Sequence, residues 1–472
     1  MSGDDILGTE TDTIAAVATA PGAGGVGIIR ISGPRAHDIL LSMFRPSSAS
    51  FRDFVPRMLH HGRLLDAQGR EADDALVVFF KGPHSFTGED CAEIQGHGGP
   101  AVLAALLDSV LFRGARMAER GEFTRRAFLN GRMDLSQAEA VAELIAAPSR
   151  EGVYLASAKL DGLLGRRVEA LRERLEYLRQ RVCLAIDFPD EEGECLPPQE
   201  FSAITEEVAS GIRSLISGYE RARCWREGAL VVLAGQVNAG KSSLMNAFLG
   251  RKRAIVTEKP GTTRDYLEEQ TSLAGLPVRL VDTAGLREHS NDSIELEGMR
   301  RGKELAESSR CVLMVLDGAR AGLSEKDLLE PFAEEARLIG EFGAERCIAV
   351  WNKADLRPLP QGMDYFGKAR LIPVCARSGE GIEELSEAVR RLCLQGETPE
   401  EGDIAPNLRQ TEQLRKALQA LEKLQEAIAL DVPPDLCSIH LETACAHLSD
   451  ITGLNSTEET LNAIFSSFCI GK

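Results

Sequence analysis

The sequence predicts a multidomain α/β protein, in which a parallel-sheet unit is inserted into a helical domain behind a separate N-terminal α/β domain. Three observations carry this expectation. The chain has 472 residues, too many for one hydrophobic core, so about two to four domains are expected. Between Glu227 and Leu394 the apolar runs "ALVVLAG", "VRLVDTAG", "CVLMVLDG", "CIAVWNKAD" and "ARLIPVCA" alternate with helical patterns, as a parallel sheet with right-handed crossovers requires. Amphipathic helical periodicity lies on both sides of that region, and helices on both flanks need a common apolar face to cover.

In chain order, residues 1–130 mix short apolar runs with glycine-rich turns, as in "TIAAVATAPGAGGVGIIRISG" and "AEIQGHGGPAVLAALLDSVL", and read as an α/β or α+β domain. Residues 131–225 form the first helical part. "DLSQAEAVAELIAA" opens with a capping-box pattern, Ser136 to Glu139. Beyond it Leu164, Val168, Leu171, Leu175, Leu178 and Val182 recur at three- and four-residue steps, the stripe of a long helix. "DFPDEEGECLPPQE" interrupts that helix. Residues 226–395 hold the parallel-sheet unit. In 396–472 periodicity returns with Leu414, Leu418, Leu421, Leu424 and Ile428, breaks at "DVPPD" and resumes.

Composition narrows the function classes. Charged residues make up 27% and hydrophobic ones 43%, and no run approaches the roughly 18 apolar residues of a membrane span. The acidic "MSGDDILGTETD" is unlike a basic leader, so a cytoplasmic location with no membrane partner is expected. Eleven cysteines contain no C-x-x-C pair, which argues against structural zinc and against a disulfide framework. A formal charge of −18 repels a phosphate backbone, so any RNA role predicts a basic partner.

The chemistry concentrates in the parallel-sheet unit. "GQVNAGKSS" spells G-x-x-x-x-G-K-S from Gly235 to Ser242 after an apolar strand and before a helical run. Such a loop wraps phosphates with backbone N–H groups; Lys241 reaches the β/γ oxygens and the Ser242 hydroxyl binds Mg²⁺. Asn238, Ala239, Gly240 and Ser243 complete its lining. "DTAG" follows with Asp282, Thr283, Ala284 and Gly285, placing a carboxylate at the magnesium's water shell and an N–H at the γ-phosphate. Between the two lies "PGTTRD", and of its two threonines Thr263 is chosen as the second Mg²⁺ ligand. "NKAD" (Asn352, Lys353, Ala354, Asp355) selects the base, because Asp355 pairs with guanine's ring N–H and exocyclic amine together, whereas adenine leaves it unpaired. The expected ligand is GTP. A water-positioning glutamine is missing: after the D-x-x-G element stands Leu286, which cannot hydrogen-bond water. Acidic residues in "LREHSNDSIELEG" are candidates, against a solvated helix face, and Asn238 is a candidate cation ligand, against a plain turn residue.

These motifs, together with "HSFTGEDCAEIQGHGGP", "GEFTRRAFLNGRMDLSQAEAV" and the terminal "FCIGK", resemble the MnmE (TrmE) family of tRNA-modification GTPases from end to end. The resemblance implies a folate-binding, aminomethyltransferase-like N-terminal domain that also forms a homodimer, a discontinuous helical domain, and an inserted P-loop, Ras-like G domain. It further implies an FAD-dependent partner, MnmG (GidA), in a heterotetramer that modifies C5 of the wobble uridine of tRNA. Residue by residue, it places K⁺ on Asn238 and on the loop Thr257, Glu258, Lys259, Pro260, Gly261 and Thr262, with Thr257, Lys259 and Thr262 as ligands. It makes Glu295 the residue that orients the hydrolytic water, with Glu297 as the fallback. "SAR" of the family stands here as Cys375, Ala376 and Arg377 against the guanine. Arg30, Glu93, Arg132 and Lys472 fall where the family contacts 5-formyltetrahydrofolate or a related tetrahydrofolate. Arg132 replaces a common lysine and Pro260 departs from the switch-loop pattern.

"FCIGK" itself admits three readings. Cys469 matches prenylation spacing, but Gly471 and Lys472 suit it poorly. Cys469 is otherwise a small buried residue at the end of a packed helix, or, by resemblance, a catalytic thiol facing the one-carbon unit. An RNA-modifying subunit driven by GTP hydrolysis is preferred to a GTP-regulated ribosome-assembly factor, because the chain is acidic and has no RNA-binding appendage.

Overall fold

The computed structural model describes residues 12–187, 198–251, 268–282, 304–322, 328–394, 403–430 and 432–472. The chain divides into two compact units. One comprises Met1–Ala142, Lys159–Ser210 and Glu412–Lys472, and the other Glu143–Ala158 and Gly211–Thr411.

The first unit begins with β1 (Ile14–Val17), β2 (Gly24–Ser32), α1 (Ala36–Met43), β3 (Phe44–Pro46), β4 (His60–Leu65), β5 (Glu71–Phe80), β6 (Cys91–Gly98), α2 (Pro100–Phe112), β7 (Arg116–Met117) and α3 (Glu122–Leu129). The strands form one sheet in the order β3-β4-β5-β6-β2-β1-β7, antiparallel except for the parallel β1–β7 pair. Side chains alternate across such a sheet. Ile29 and Ile31 of β2 therefore enter one core with Leu40 of α1, Val77 of β5, Ile94 of β6 and Leu106 of α2. Arg30, between them in sequence, faces the opposite way and stands in register with Glu93 of β6.

Helices follow: α4 (Leu135–Ala146), α5 (Arg150–Leu160), α6 (Leu163–Asp187) and α7 (Pro198–Glu227). The capping box of α4 differs from the sequence expectation. Asp134, not Ser136, accepts from the Gln137 N–H at 2.8 Å, and the Gln137 side-chain Oε1 accepts from the Asp134 N–H at 2.9 Å. Ser136 is already helical and fully buried, so the box lies two residues earlier. All six residues of the expected α6 stripe are buried.

In the second unit come β8 (Ala229–Ala234), α8 (Lys241–Arg251), β9 (Glu268–Leu273), β10 (Leu276–Asp282), β11 (Cys311–Asp317), α9 (Ala333–Phe342), β12 (Cys347–Asn352), β13 (Tyr365–Phe366), β14 (Ala369–Pro373) and α10 (Ile382–Leu394). The sheet order is β13-β14-β12-β11-β8-β10-β9. Its five inner strands are parallel, and β9 and β13 close the two edges antiparallel. Both faces of the parallel strands are buried, Val231, Leu233 and Val315 on one side and Val232, Met314 and Leu316 on the other, which explains their continuous apolar runs. The two ends of this stretch meet: Arg226 donates to the Pro406 carbonyl at 2.7 Å.

The chain closes with α11 (Leu408–Ala429), α12 (Pro434–Thr452) and α13 (Glu458–Ser466). In α11 the stripe is completed by Ala417, Ala420 and Ala427 beside Leu414, Leu421 and Leu424, while Leu418 and Ile428 are half-buried. α12 packs along α6. Thr457 caps α13, accepting from the Thr460 N–H. Among the described residues, no helix is long and apolar enough to cross a membrane.

Candidate functional sites

In the second unit β8 is the strand at which the order reverses, with β10 on one side and β11 on the other. Open parallel sheets bind ligands beyond the carboxyl ends of strands at such a point. The loop 235–240 leaves β8 there and feeds α8. Gly240 has φ +95°, and a Cβ on it would lie 2.1 Å from the Asn352 side-chain nitrogen, so only glycine fits. That approach has a purpose. Asn352, 2% exposed, donates from Nδ2 to the Ala239 carbonyl at 2.8 Å and accepts from the Ala376 N–H at 3.3 Å. One side chain thus ties the 235–240 loop to the 375–377 loop. Lys353, at φ +61°, donates to the Asn238 carbonyl at 3.1 Å and to Asp317 at 2.7 Å. The Ala354 N–H donates to the Val374 carbonyl at 3.1 Å. Asp355 and Arg377 are exposed, Ala376 is half-buried and Cys375 is buried.

Lys241 is buried and donates from Nζ to the carbonyls of Gly235 and Gln236, at 2.9 and 2.8 Å. The Ser242 hydroxyl donates to Asp282 at 2.8 Å. A hydroxyl and a carboxylate in contact at a helix N-terminus are the hard oxygen donors that Mg²⁺ takes, so these residues fit that ion. Ser243 is exposed beside them. Asn238 is exposed at φ +65°. Thr257, Glu258, Lys259, Pro260, Gly261, Thr262, Thr263, Thr283, Ala284, Gly285 and Glu295 lie outside the described residues. Sequence reasoning missed Asp317, whose only signal is an acid at the carboxyl end of a buried strand.

The first unit holds a second constellation. Arg30 donates from Nε and Nη2 to Glu93 Oε1 at 3.0 and 2.9 Å. Its guanidinium lies 5.3 Å from the Phe86 ring centre and 5.8 Å from that of Phe123, a cation–π cage. Lys472 is half-buried against this pair. Burial and the charge of Arg30 push its ammonium pKa down, while Glu93 and Cys469 pull the other way. The tail is held by the segment before α3 and by the end of β1. Ile470 bridges to Arg120, the Gly121 N–H donates to the Cys469 carbonyl at 3.4 Å, and Gly471, at φ +92°, passes so close to Val17 that a Cβ would sit 2.4 Å from its carbonyl oxygen. α13 ends at Ser466 and Phe468 is buried, but Cys469 is exposed. The reading of Cys469 as a small buried residue is therefore corrected: the turn after α13 sends Phe468 into the core and the next side chain outward. Three of the four expected folate contacts, Arg30, Glu93 and Lys472, come together. Arg132, exposed on the loop after α3, has its aliphatic stem against Gly88.

A buried ionic cluster supports this face, and no sequence signal announced it. Arg126, 2% exposed, donates to Asp12 at 2.6 Å, Glu122 at 2.9 Å and Glu89 at 3.2 Å. Arg116 reaches the same Glu122 at 2.6 and 2.9 Å. Glu89 also accepts from Ser32 at 2.7 Å, which fixes the loop carrying Phe86.

Residues 135–469 match the family model described as the MnmE helical domain, and residues 13–132 match that described as the GTP-binding protein TrmE N-terminus. Proteins called tRNA modification GTPase MnmE are similar along nearly the whole length. One from Nitratidesulfovibrio vulgaris (strain DP4) is 55% identical, covering 98% of this chain and 99% of that protein. One from Lawsonia intracellularis (strain PHE/MN1-00) is 47% identical, covering 98% and 100%. Among solved structures, the G domain of the T. maritima FeoB iron transporter matches at 25% identity over 35% of this chain and 98% of that one, with a TM-score of 0.25.

Proposed function

Because the chain belongs to the MnmE family of tRNA modification GTPases, we propose that it is the GTP-hydrolysing subunit of a complex that modifies C5 of the tRNA wobble uridine, U34. The observation that carries the nucleotide half is the convergence of Lys241, Ser242, Asp282 and Asn352 on one loop at the strand-order reversal. Lys241 would release its two carbonyls to reach phosphate oxygens, Ser242 and Thr263 would hold Mg²⁺, and Asp355 would select guanine. Asn238, Thr257, Lys259 and Thr262 would hold K⁺, which supplies positive charge where other GTPases use an arginine finger. Glu295 would orient the attacking water in place of the missing glutamine.

The tRNA half would belong to the face around Arg30. Residues 1–130 would bind a tetrahydrofolate and form the homodimer, Arg30, Arg132 and Lys472 meeting its carboxylates and Glu93 its ring N–H groups. Cys469, exposed three residues before Lys472, would face the one-carbon unit that becomes the aminomethyl or carboxymethylaminomethyl group. The FAD-dependent partner MnmG (GidA) would complete a heterotetramer on the tRNA. The deciding experiment is complementation of a strain lacking the gene, with mass spectrometry of U34 in its tRNA. Restored modification by the parent chain, and none by a Lys241→Ala variant, is expected. Unmodified U34 with the folded parent chain present would overturn the reading.

A further inference from the structure

Arg132 carries a charge that nothing around it neutralises: its guanidinium is exposed and has no hydrogen-bond or ion-pair partner among the described residues. Its main chain and stem, by contrast, are closely held. α3 ends in a Schellman turn, in which Gly131 takes φ +66°, the Gly131 N–H donates to the Phe128 carbonyl at 3.0 Å, and the Arg132 N–H donates back to the Ala127 carbonyl at 2.9 Å. This closure fixes where the Arg132 backbone leaves the helix. Immediately before the turn, Asn130 donates from Nδ2 to the Thr87 carbonyl at 2.8 Å. The helix cap is complete without that amide, and nothing in the site above uses it.

Thr87 is a firm anchor. It is fully buried, its hydroxyl lies 2.7 Å from the Ser32 hydroxyl and 3.1 Å from the Cys91 thiol, and it accepts from the Glu89 N–H at 3.2 Å. On one side of it in sequence is Phe86, whose ring centre is 5.3 Å from the Arg30 guanidinium. On the other is Gly88, at φ +82°, where a Cβ would lie 3.1 Å from Asn130 Cβ and 3.3 Å from Arg132 Cγ. Three successive loop residues, Phe86, Thr87 and Gly88, therefore stand against Arg30, Asn130 and Arg132 in turn. We propose that Asn130 is a positioning residue for ligand binding at the Arg30 face: its bond to Thr87 clamps the end of α3 to the loop carrying Phe86, so that Arg132 presents its charge to the ligand that Arg30 and Lys472 meet. Asn130 touches no ligand itself. An exposed arginine gives up rotamer freedom when it binds, and a backbone and stem held beforehand reduce that loss.

This inference rests on the folate reading, and the experiment separates the two. Calorimetric titration of the full chain with 5-formyltetrahydrofolate comes first; no binding by the folded parent overturns the folate reading, and this proposal with it. Asn130→Ala is expected to raise Kd by about fivefold, the worth of one hydrogen bond, and Arg132→Ala by about tenfold, the worth of a charge-assisted contact. The double variant should bind no more weakly than Arg132→Ala alone, because Asn130 acts only through that side chain. Added salt should weaken binding of this dianion by the parent, and both single variants should show a flatter salt dependence, since in each a cation no longer bears on the ligand. A merely structural amide would leave that dependence as it is in the parent. GTP hydrolysis by Asn130→Ala should be unchanged. If Asn130→Ala does not fold, Asn130→Ser, which also lacks the amide donor, is measured in its place. Parental affinity in the folded variant, or losses that add in full in the double variant, would make Asn130 a structural residue only and overturn the proposal.

Discussion

Arg126 stands almost out of water among Asp12, Glu122 and Glu89, and removing it would strip Glu122, 3% exposed, of one of its two charged partners, leaving Arg116 and the Glu119 N–H. Uncompensated buried charge costs about 3–5 kcal/mol, so Arg126→Ala should lower the unfolding free energy of the first unit by roughly that much in urea titration. The cluster also sets a pH dependence. Burial works to raise the pKa of Glu122, but Arg116, the Glu119 N–H and Arg126 outweigh it and hold it below its usual value; Asp12 is likewise held down by Arg126 and Arg116 against burial. Carboxylates depressed in the folded state contribute stability above their unfolded pKa and lose it as pH falls through the folded value. The melting temperature should therefore drop as pH falls below the ordinary carboxylate range, and Arg126→Ala should flatten that drop. Cys469 carries a second residue-scale prediction. As an exposed thiol beside buried ones, it should react with iodoacetamide in the native chain while Cys91, Cys224 and Cys445 do not. Cys469→Ser should leave GTP hydrolysis intact and abolish U34 modification with the partner present; full modification by the serine variant would return the thiol to a passive role. Neither residue's environment was legible in the sequence. Arg126 looks like one basic residue in "EFTRRAF", and Cys469 has apolar neighbours on both sides, so only the fold shows which way each points.

The pairing of α6 with α12 shows what periodicity does and does not reveal. The α6 stripe at three- and four-residue steps was plain in the sequence and is buried throughout. What it packs against could not be read, because α12 lies more than two hundred residues later. Contact is intimate: Cys445 of α12 has its thiol pKa pushed to about 12 by burial and by the nearby Glu176 of α6. Leu448, fully buried on α12, should cost about 2–5 kcal/mol when replaced by alanine, and a melt of the full chain should show a lowered first transition; a loss below half a kcal/mol would mean the helix pair carries little of the stability. The cap of α4 failed to be read for a chemical reason. Asp134-x-x-Gln137 and Ser136-x-x-Glu139 both fit a capping box, and the pattern alone does not choose. β9 escaped notice because "EEQTSL" is polar and its first three residues are exposed, as an antiparallel edge strand permits.

For the molecule as a whole, the 235–240 loop, Asp282 and the Asn352–Asp355 segment lie at the carboxyl ends of strands of the parallel sheet, because each follows its apolar run directly in the sequence. The grouping of Arg30, Glu93 and Lys472 was legible only through resemblance. Its members are separated by most of the chain, and turns and glycines alone do not say that residue 472 meets residue 30. The proposed cation site gives a prediction at this scale. With Leu286 in place of a water-holding glutamine and Asn238 at the loop, GTP hydrolysis should be markedly faster in K⁺ than in Na⁺ at equal ionic strength, and specific activity should rise with protein concentration as G domains pair. Equal rates in both salts, at concentrations that dimerise the protein, would exclude the cation's part.

The hydrogen bond from Arg226 to Pro406 bears on how such a chain came to be assembled. Entry to and exit from a stretch of some 180 residues are pinched to the distance of a single contact, the end-to-end span of an ordinary short connection between helices. To the surrounding helices, the intervening nucleotide module is topologically no more than a loop. It is thus free to be inherited, exchanged or elaborated as a cassette, and grafting another nucleotide-binding module between these two residues becomes a practical route to chimaeras that keep the host helices in register.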